Sequence, residues 1–437
     1  MFTTLKNAFK IKDVRNKIFY TFLMLVVIRI GSQLPVPGMT PEYFSTWFNQ
    51  NTSNMFGFFD AITGGSFLNG SVLALGINPY ITSSIIMQLL TIAIPKLEEM
   101  QKDGEDGKKK IASITRYVTV ALALLQASFM AIGFGRQGLL AEYNAMNVIT
   151  AIAAMTAGSA FLMWIGERIT ENGVGNGISI VLVINILSRL PQDLGLLFEQ
   201  FVFGKPFAEA ALGAFVIIAV IVLMVVMVII LNGGVRKIPV QYAKKMQGRK
   251  MVGGQTSNIP LKVNTSGVIP VIFASSILQF PIIICSFIGT AQDGWGAEVL
   301  KYLNSDHWCN PKDLKYTVGL LVYVLLVVFF AYFYTSISFN PLMVADNMKK
   351  QGGFVPGIRP GKPTSDYLQT VLNRIIFIGA IGLTIIAILP FFFNGIFGAQ
   401  ISFGGTSLII IVSVILETMK QIESKMLVRN YKGFLND

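Results

Sequence analysis

Apolar and polar positions segregate along this chain into long blocks. Ten apolar runs, at about 18–35, 76–95, 116–135, 148–167, 175–190, 210–232, 266–288, 316–337, 371–390 and 405–420, are separated by polar or charged segments. Most are close to the ~20 residues that an α-helix needs to cross a bilayer. A segment in hydrocarbon must satisfy its backbone N–H and C=O groups internally, so runs of this length predict helices. The 175–190 run is the shortest and is counted because the topology needs it. The pattern predicts an all-α polytopic membrane protein with ten transmembrane helices.

The stretch from Asn54 to Pro95 departs from this rhythm. It has no Lys or Arg and a single acid, Asp60, yet Gly57, Gly64, Gly65 and Gly70 interrupt its first half. Each glycine inside a helix costs about 1 kcal/mol relative to alanine. Only after Gly76 is the run long enough to span. Irregular backbone at membrane depth persists only where protein or a water-filled cavity surrounds it. Residues 55–75 are therefore expected to form a short, loosely helical, apolar segment in a protein-lined cavity beside the second span.

Composition agrees with the pattern: 53% of the 437 residues are hydrophobic and 13% charged, with a mean hydropathy of +0.61, outside the range of soluble domains. Lys6, Lys10, Lys12, Arg15 and Lys17 precede the first run, with no small-residue cleavage site behind it, so the first span is expected to be retained. Of the 35 Lys and Arg residues, 28 fall on one side of the ten-span scheme and six on the other. Positive charge stays in the cytoplasm, which puts both termini there. The ten spans divide into five and five, as an N-terminal half (1–190), an external hinge loop (191–209) and a C-terminal half (210–437). An odd number of spans per half inverts the second half relative to the first, an arrangement that sets a site between them at the midplane.

Catalytic constellations are missing from the pattern. His307 is the only histidine and lies in a loop with Asp306 and Cys309, too sparse a set for a metal; Cys285 and Cys309 make no disulfide framework. The glycines of NGVGNGIS (172–179) follow no strand and read as a tight turn opening the fifth span rather than a nucleotide loop. No Ser/His pair or paired aspartates suggest intramembrane proteolysis. The second, third and sixth to ninth spans hold no ionisable group away from their ends, and only Arg29 stands out, near the end of the first span where it can snorkel. Ion-coupled transporters normally keep such groups at midplane. No cofactor or metal is expected.

What the spans do offer is an apolar lining with polar seams. Ile77 and Ile81 are spaced i,i+4, as are Ile178 and Leu182. For any one of them ordinary packing is the simpler reading; the sharper one is a hydrophobic constriction that gates by excluding water. Thr82, Ser83, Ser84 and Gln88 on the second span, and Ser275, Ser276 and Gln279 on the seventh, suit helix contacts or water. Pro281 removes a backbone hydrogen bond from the seventh span and is expected to bend it. The 233–264 loop has seven basic residues and no acid, which suits an acidic partner or ribosomal RNA, with attraction to anionic lipid as the simpler alternative.

Seven strings carry a resemblance that covers the chain end to end: RIGSQLPVPG (29–38), MFGFFDAITGG (55–65), ALGINPYITSSIIMQLL (74–90), FLMWIGERITENGVGNGISI (161–180), KVNTSGVIPVIFASSILQFP (262–281), FNPLMVADNMKKQGGFVPGIRPG (339–361) and FGGTSLII (403–410). In this order they resemble the SecY family, the channel-forming subunits of the bacterial Sec protein translocon. Asn78 departs from the family pattern, which has an apolar residue there. The resemblance implies two inverted five-helix halves around a central hourglass pore. It implies a pore ring of Ile77, Ile81, Ile178, Leu182, Ile272 and Ile410, and a lateral gate between the second and seventh spans marked by Thr82, Gln88, Ser275, Ser276 and Gln279. Residues 55–75 would be a plug, with Phe56, Phe58, Phe59, Ile62, Phe67 and Leu68 as its apolar body. Arg236, Lys237, Lys244, Lys245, Arg249, Lys250 and Arg359, in loops 233–264 and 338–374, would dock the SecA ATPase or the ribosome.

The function expected is a passive protein-conducting channel in the bacterial plasma membrane, driven by SecA or the ribosome and not itself an enzyme. Its implied partners are SecE and SecG, signal peptides and nascent or preprotein chains, and membrane lipids. The alternative from another class is a small-solute secondary transporter with inverted repeats, against which the long basic loops weigh.

Overall fold

The computed structural model describes residues 8–39, 60, 62–136, 138, 140, 142–242, 245–247, 250–252, 256–288, 295–304, 308–309, 314–397 and 405–433. One long helix occupies each of the ten apolar runs. In chain order the elements are α1 (Lys12–Gly31), α2 (Asn78–Ala93), α3 (Pro95–Lys102), α4 (Glu105–Arg136), α5 (Ala145–Asn172), α6 (Gly177–Phe201) and α7 (Phe207–Gly233). Strands β1 (Val235–Tyr242), β2 (Lys245–Gln247), β3 (Lys250–Val252) and β4 (Thr256–Lys262) follow. The chain then forms α8 (Ile269–Ile288), α9 (Trp295–Leu303), α10 (Val318–Ser338), α11 (Pro341–Lys350), β5 (Gly353–Phe354), α12 (Lys362–Phe397) and α13 (Gly405–Gly433). Among the described residues six helices are long and apolar enough to cross a membrane, and seven if the bent pair α2–α3 is one span. The protein is an all-α polytopic membrane protein.

Helix ends follow local chemistry. Asn176 caps α6 by accepting from the Ile178 and Ser179 amides at 3.1 and 3.4 Å, and Asn340 caps α11 in the same way. At the far end of α2 the chain becomes extended at Ile94. Pro95 cannot donate to the preceding turn, and α3 leaves at 106° to α2. Helix α8 continues through Pro281 to Ile288.

The fifth span is longer than its 175–190 run. Helix α6 passes Pro191 and ends at Phe201, so most of the expected 191–209 hinge is helical and the connector to α7 is a few residues. The polar residues Gln192, Asp193, Glu199 and Gln200 break the hydropathy of this stretch, but Leu194, Leu197 and Phe201 keep helical spacing and pack with Ile217, Val220 and Met224 of α7. Packing sustains the helix where mean hydropathy lapses.

The helices sort into two groups of five. In the first, α4 packs between α2 and α5, α5 against α6 and α1; in the second, α10 packs between α8 and α12, and α13 against α7 and α12. Contacts of α6 with α13, and of α4 with α8, join them. Each group has its own core, one around Phe67, Phe134 and Met155, the other around Trp308, Tyr323 and Ile386. A third core draws residues from both groups. Helix α7 is almost wholly apolar yet mostly exposed, so its surface faces outward toward lipid or another helix.

Candidate functional site

The third core is the site. Ile77 immediately precedes α2 and Ile81 lies one turn inside it; Ile178 and Leu182 lie in the first turns of α6, Ile272 near the start of α8 and Ile410 near the start of α13. All six belong to one apolar cluster, which includes Ile28, Leu73, Ile186 and Val414. Ile77 and Ile410 are almost fully buried, at 1% and 2% exposure. Burying an aliphatic side chain of this size contributes about 1.5–3 kcal/mol, so the cluster is a substantial adhesive between the two helix groups. Its reach across both groups depends on the turn that starts α6. Gly175 has a φ of +81°, and a Cβ on Gly177 would lie 1.9 Å from the Gly166 carbonyl oxygen, so α6 can begin against α5 only as glycine. Thr170 and Thr21 accept the Gly177 and Val174 amides. Lys425 donates to the Gly173 carbonyl, its ammonium pushed below its usual value by burial and then by Lys17.

Packed against this cluster is the glycine-rich segment Asp60–Gly76, irregular as the glycines predict. The Val36 amide donates to Gly70 and the Val72 amide to Leu34, both at 2.9 Å, tying it to the chain after α1. Phe67 is buried edge-on against Phe134 of α4, with ring centroids 6.0 Å apart. Ile62 joins the isoleucine cluster, and Leu68 packs with Phe67 on the first core. Phe56, Phe58 and Phe59 lie outside the described residues. Gly64 has a φ of +68°, and a Cβ there would sit 2.8 Å from the Asn185 backbone, so the segment touches α6 directly.

Charge is concentrated at this contact. The Asp60 carboxylate is fully buried and lies 2.6 Å from Nη1 of Arg189, and Arg189 Nε lies 3.8 Å from Asp193 one turn further along α6. Arg29 donates to the Gly64 carbonyl at 3.2 Å, and Ser188 donates to the same oxygen at 3.4 Å. Arg189 thus lies within α6 and faces Asp60, and Arg29, expected to snorkel, instead binds the segment. The spacing of Arg189 and Asp193 at i,i+4 was the available signal. It was hidden because the fifth span had been ended at Leu190.

The polar seam is divided between neighbours. Thr82 is half-buried and donates to the Asn78 carbonyl within α2, while Ser83 donates to the Thr115 carbonyl of α4 at 2.8 Å. Gln88 and Ser275 are half-buried and Ser276 is exposed; the side chain of Gln279 lies outside the described residues. Helices α2 and α8 each pack within their own group, and Ile77, Ile81 and Ile272 belong to the same apolar cluster.

The two basic loops form one body. Strand β1 pairs antiparallel with β4 from Val235↔Lys262 to Gln241↔Thr256, and its end pairs with β5 through Gln241↔Phe354 and Tyr242↔Gly353. Ile238, Val240 and Leu261 point inward onto Met348, Val355, Leu368 and Ile375, while Arg236 and Lys237 are exposed. Strands β2 and β3 carry Lys245 and Lys250; Lys244 and Arg249, and the side chains of Lys245 and Lys250, lie outside the described residues. Arg359 is exposed between Gly357 and Gly361, whose φ values are +83° and +101°. Its own carbonyl accepts from Thr364 at 2.8 Å, and neighbouring Ile358 packs into the shared core. A guanidinium is thus presented on a fixed turn, free to make two parallel bonds to an acceptor.

Comparison with known proteins places this geometry. A sequence model of the SecY family matches residues 71–419. The chain is 44% identical over 450 residues to the protein translocase subunit SecY of Streptomyces scabiei, with all of both chains covered. It is similar to a solved SecY channel whose plug domain is described as stabilising the closed state and maintaining a membrane seal, with a TM-score of 0.62, 18% identity and coverage of 94% and 92% of the two chains. It is also similar to Sec61 in a canine ribosome–channel complex, with a TM-score of 0.59, 16% identity and the same coverage.

The shared sheet gives a direct check. Cysteines replacing Gln241 and Phe354, opposite each other across β1 and β5, are expected to form a disulfide on mild oxidation. After cleavage at a protease site inserted into 305–307, the two fragments should then stay together until reduced. Fragments that separate without reductant would show that the loops move independently.

Proposed function

This chain belongs to the SecY family of protein translocase subunits, and from that premise we propose that it is a passive protein-conducting channel of the bacterial plasma membrane, passing unfolded secretory polypeptides across and releasing hydrophobic segments sideways into lipid. The observation that carries the reading is the apolar knot. Six aliphatic residues from four helices of both groups converge directly beneath an irregular segment that could not survive against lipid. A narrow apolar ring resists wetting and so holds back ions, while a flexible chain can push its side chains apart.

In this reading the two five-helix groups are inverted halves, and residues 55–75 are the plug resting on the ring. A signal sequence parts α2 from α8 along the seam of Thr82, Gln88, Ser275, Ser276 and Gln279. Both termini and both basic loops face the cytoplasm, where Arg236, Lys237, Lys244, Lys245, Arg249, Lys250 and Arg359 dock SecA or the ribosome, while SecE and SecG complete the complex in the membrane. Fusion of the loops into one sheet supports a single docking platform. The solved Sec61–ribosome complex supports the ribosome as a partner. The chain does no chemistry of its own; ATP hydrolysis by SecA or elongation on the ribosome supplies the drive. A solute transporter would turn Asp60 and Asp193 toward a substrate path, whereas both carboxylates face Arg189.

Two outcomes follow. Replacing Ile81 or Ile272 with Asn places a polar group in the ring and lowers the cost of wetting it. Ion leak through reconstituted channels should rise, and weakly hydrophobic signal sequences should be accepted more readily; unchanged leak in both variants would remove these residues from the ring. Arg359→Glu should abolish ATP-driven translocation into vesicles at matched channel levels, with Arg359→Lys only partly active because an ammonium lacks the planar fork, and Lys362→Glu milder. Full activity in Arg359→Glu would break the link between this turn and the motor.

A further inference from the structure

The buried charges at Asp60, Arg189 and Asp193 are used by nothing derived so far. Arg189 is 15% exposed and both carboxylates are at most 1% exposed, so all three charges have left water. The contacts differ in kind. Arg189 touches Asp60, on the segment, at 2.6 Å through Nη1, and Asp193, on its own helix, at 3.8 Å through Nε. The first is a close charge contact; the second is longer and weaker, but its partner can never leave. Ser188 and Arg29 both donate to the Gly64 carbonyl, so three side chains hold two residues at the segment's start, Asp60 and Gly64, and Gly64 itself rests on the Asn185 backbone. A buried guanidinium stripped of its only counter-ion is strongly disfavoured. Here it is never stripped, because Asp193 remains when Asp60 goes.

We propose that Arg189 is a two-position latch that sets how readily a signal sequence opens this channel: paired with Asp60 it holds the segment over the isoleucine ring, and on opening it passes to Asp193. The exchange trades one carboxylate for another on the same guanidinium, so Arg189 keeps a counter-ion in both states while Asp60 departs with the segment. Asp60 and Asp193 therefore act with opposite sign. Removing the Asp60 charge weakens the closed state, whereas removing the Asp193 charge deprives the open state of its counter-ion and deepens the closed one. An ion cluster that merely stabilised the fold would respond to both changes in the same direction. Arg189, Asp60 and Asp193 become specificity-determining residues of translocation, acting through the segment rather than on the passing chain.

The inference rests on reading 55–75 as the plug, and the test separates the two. The channel complex is purified from membranes and reconstituted in vesicles carrying Asp60→Asn, Asp193→Asn, or the exchange Asp60→Arg with Arg189→Asp. A further variant lacks residues 62–69. Ion leak and translocation of a precursor with a weakened signal sequence are measured, with thermal midpoint in detergent as the folding control. Asp60→Asn should raise leak and weak-signal translocation about tenfold, the change equivalent to losing ~1.4 kcal/mol of closed-state bias. Asp193→Asn should lower weak-signal translocation without raising leak. The exchange variant should return leak toward the parent level, and if its fold is lost, Asp60→Glu should keep leak at the parent level in its place. Changes of the same sign in Asp60→Asn and Asp193→Asn, or no change in either, would overturn the latch while the deletion variant still leaks. A deletion variant that does not leak would overturn the plug reading itself.

Discussion

Backbone amides and carbonyls outside a helix cannot face hydrocarbon, and the Asp60–Gly76 segment consists largely of such backbone. Its survival depends on being enclosed. The chain after α1 supplies partners through Val36 and Leu34, α4 supplies the face that receives Phe67, and α6 closes on Gly64. Removing any of these would leave polar backbone exposed, at about 1–3 kcal/mol for each unsatisfied group. Helices of the first group arranged around one irregular piece are the consequence.

Beneath the segment the requirement reverses. There the two helix groups meet largely through apolar side chains, with Ile77, Ile81, Ile178, Leu182, Ile272 and Ile410 in one cluster. Apolar contact is non-directional and makes no hydrogen bond that must be broken and remade, so a junction built from it can part and close again. Polar seams at Thr82 and Ser275 lie to one side of it. The sheet of β1, β4 and β5 is joined to the same region through β4, which leads within a few residues into α8. The Val263 amide donates to the Gly234 carbonyl at 2.9 Å. Asn264 donates to Asn232, and Asn232 to Ser413 of α13, at 2.8 and 2.7 Å. Movement of the sheet therefore has a short, stiff route to the helix that carries Ile272.

Much of this could be read before the structure was known. The ten helices follow from run length because lipid leaves the backbone no alternative, and the enclosed segment follows from glycines no spanning helix would keep. The six ring residues came from resemblance, with the i,i+4 pairs as the only direct hint. What the sequence hid depends on distant partners. Asp60 lies in the glycine-broken stretch before the second run and Arg189 at the end of the fifth, and nothing local joins them. The end of α6 was misplaced because packing by Leu194, Leu197 and Phe201 sustains a helix whose mean hydropathy has fallen. The pairing of β5 with β1 was invisible because a two-residue strand leaves no periodicity to detect.

The central claim is that a translocating polypeptide passes between the two helix groups through the isoleucine cluster. A photo-reactive amino acid placed at Ile81, Ile272 or Ile410, and for contrast at Phe215 on the outward face of α7, tests this with a precursor arrested midway by a folded C-terminal domain. On illumination the arrested chain should cross-link to all three cluster positions and not to Phe215, and the adducts should vanish when the precursor is chased to completion. Adducts at Phe215 with none at the cluster positions would contradict a path through the centre of the molecule.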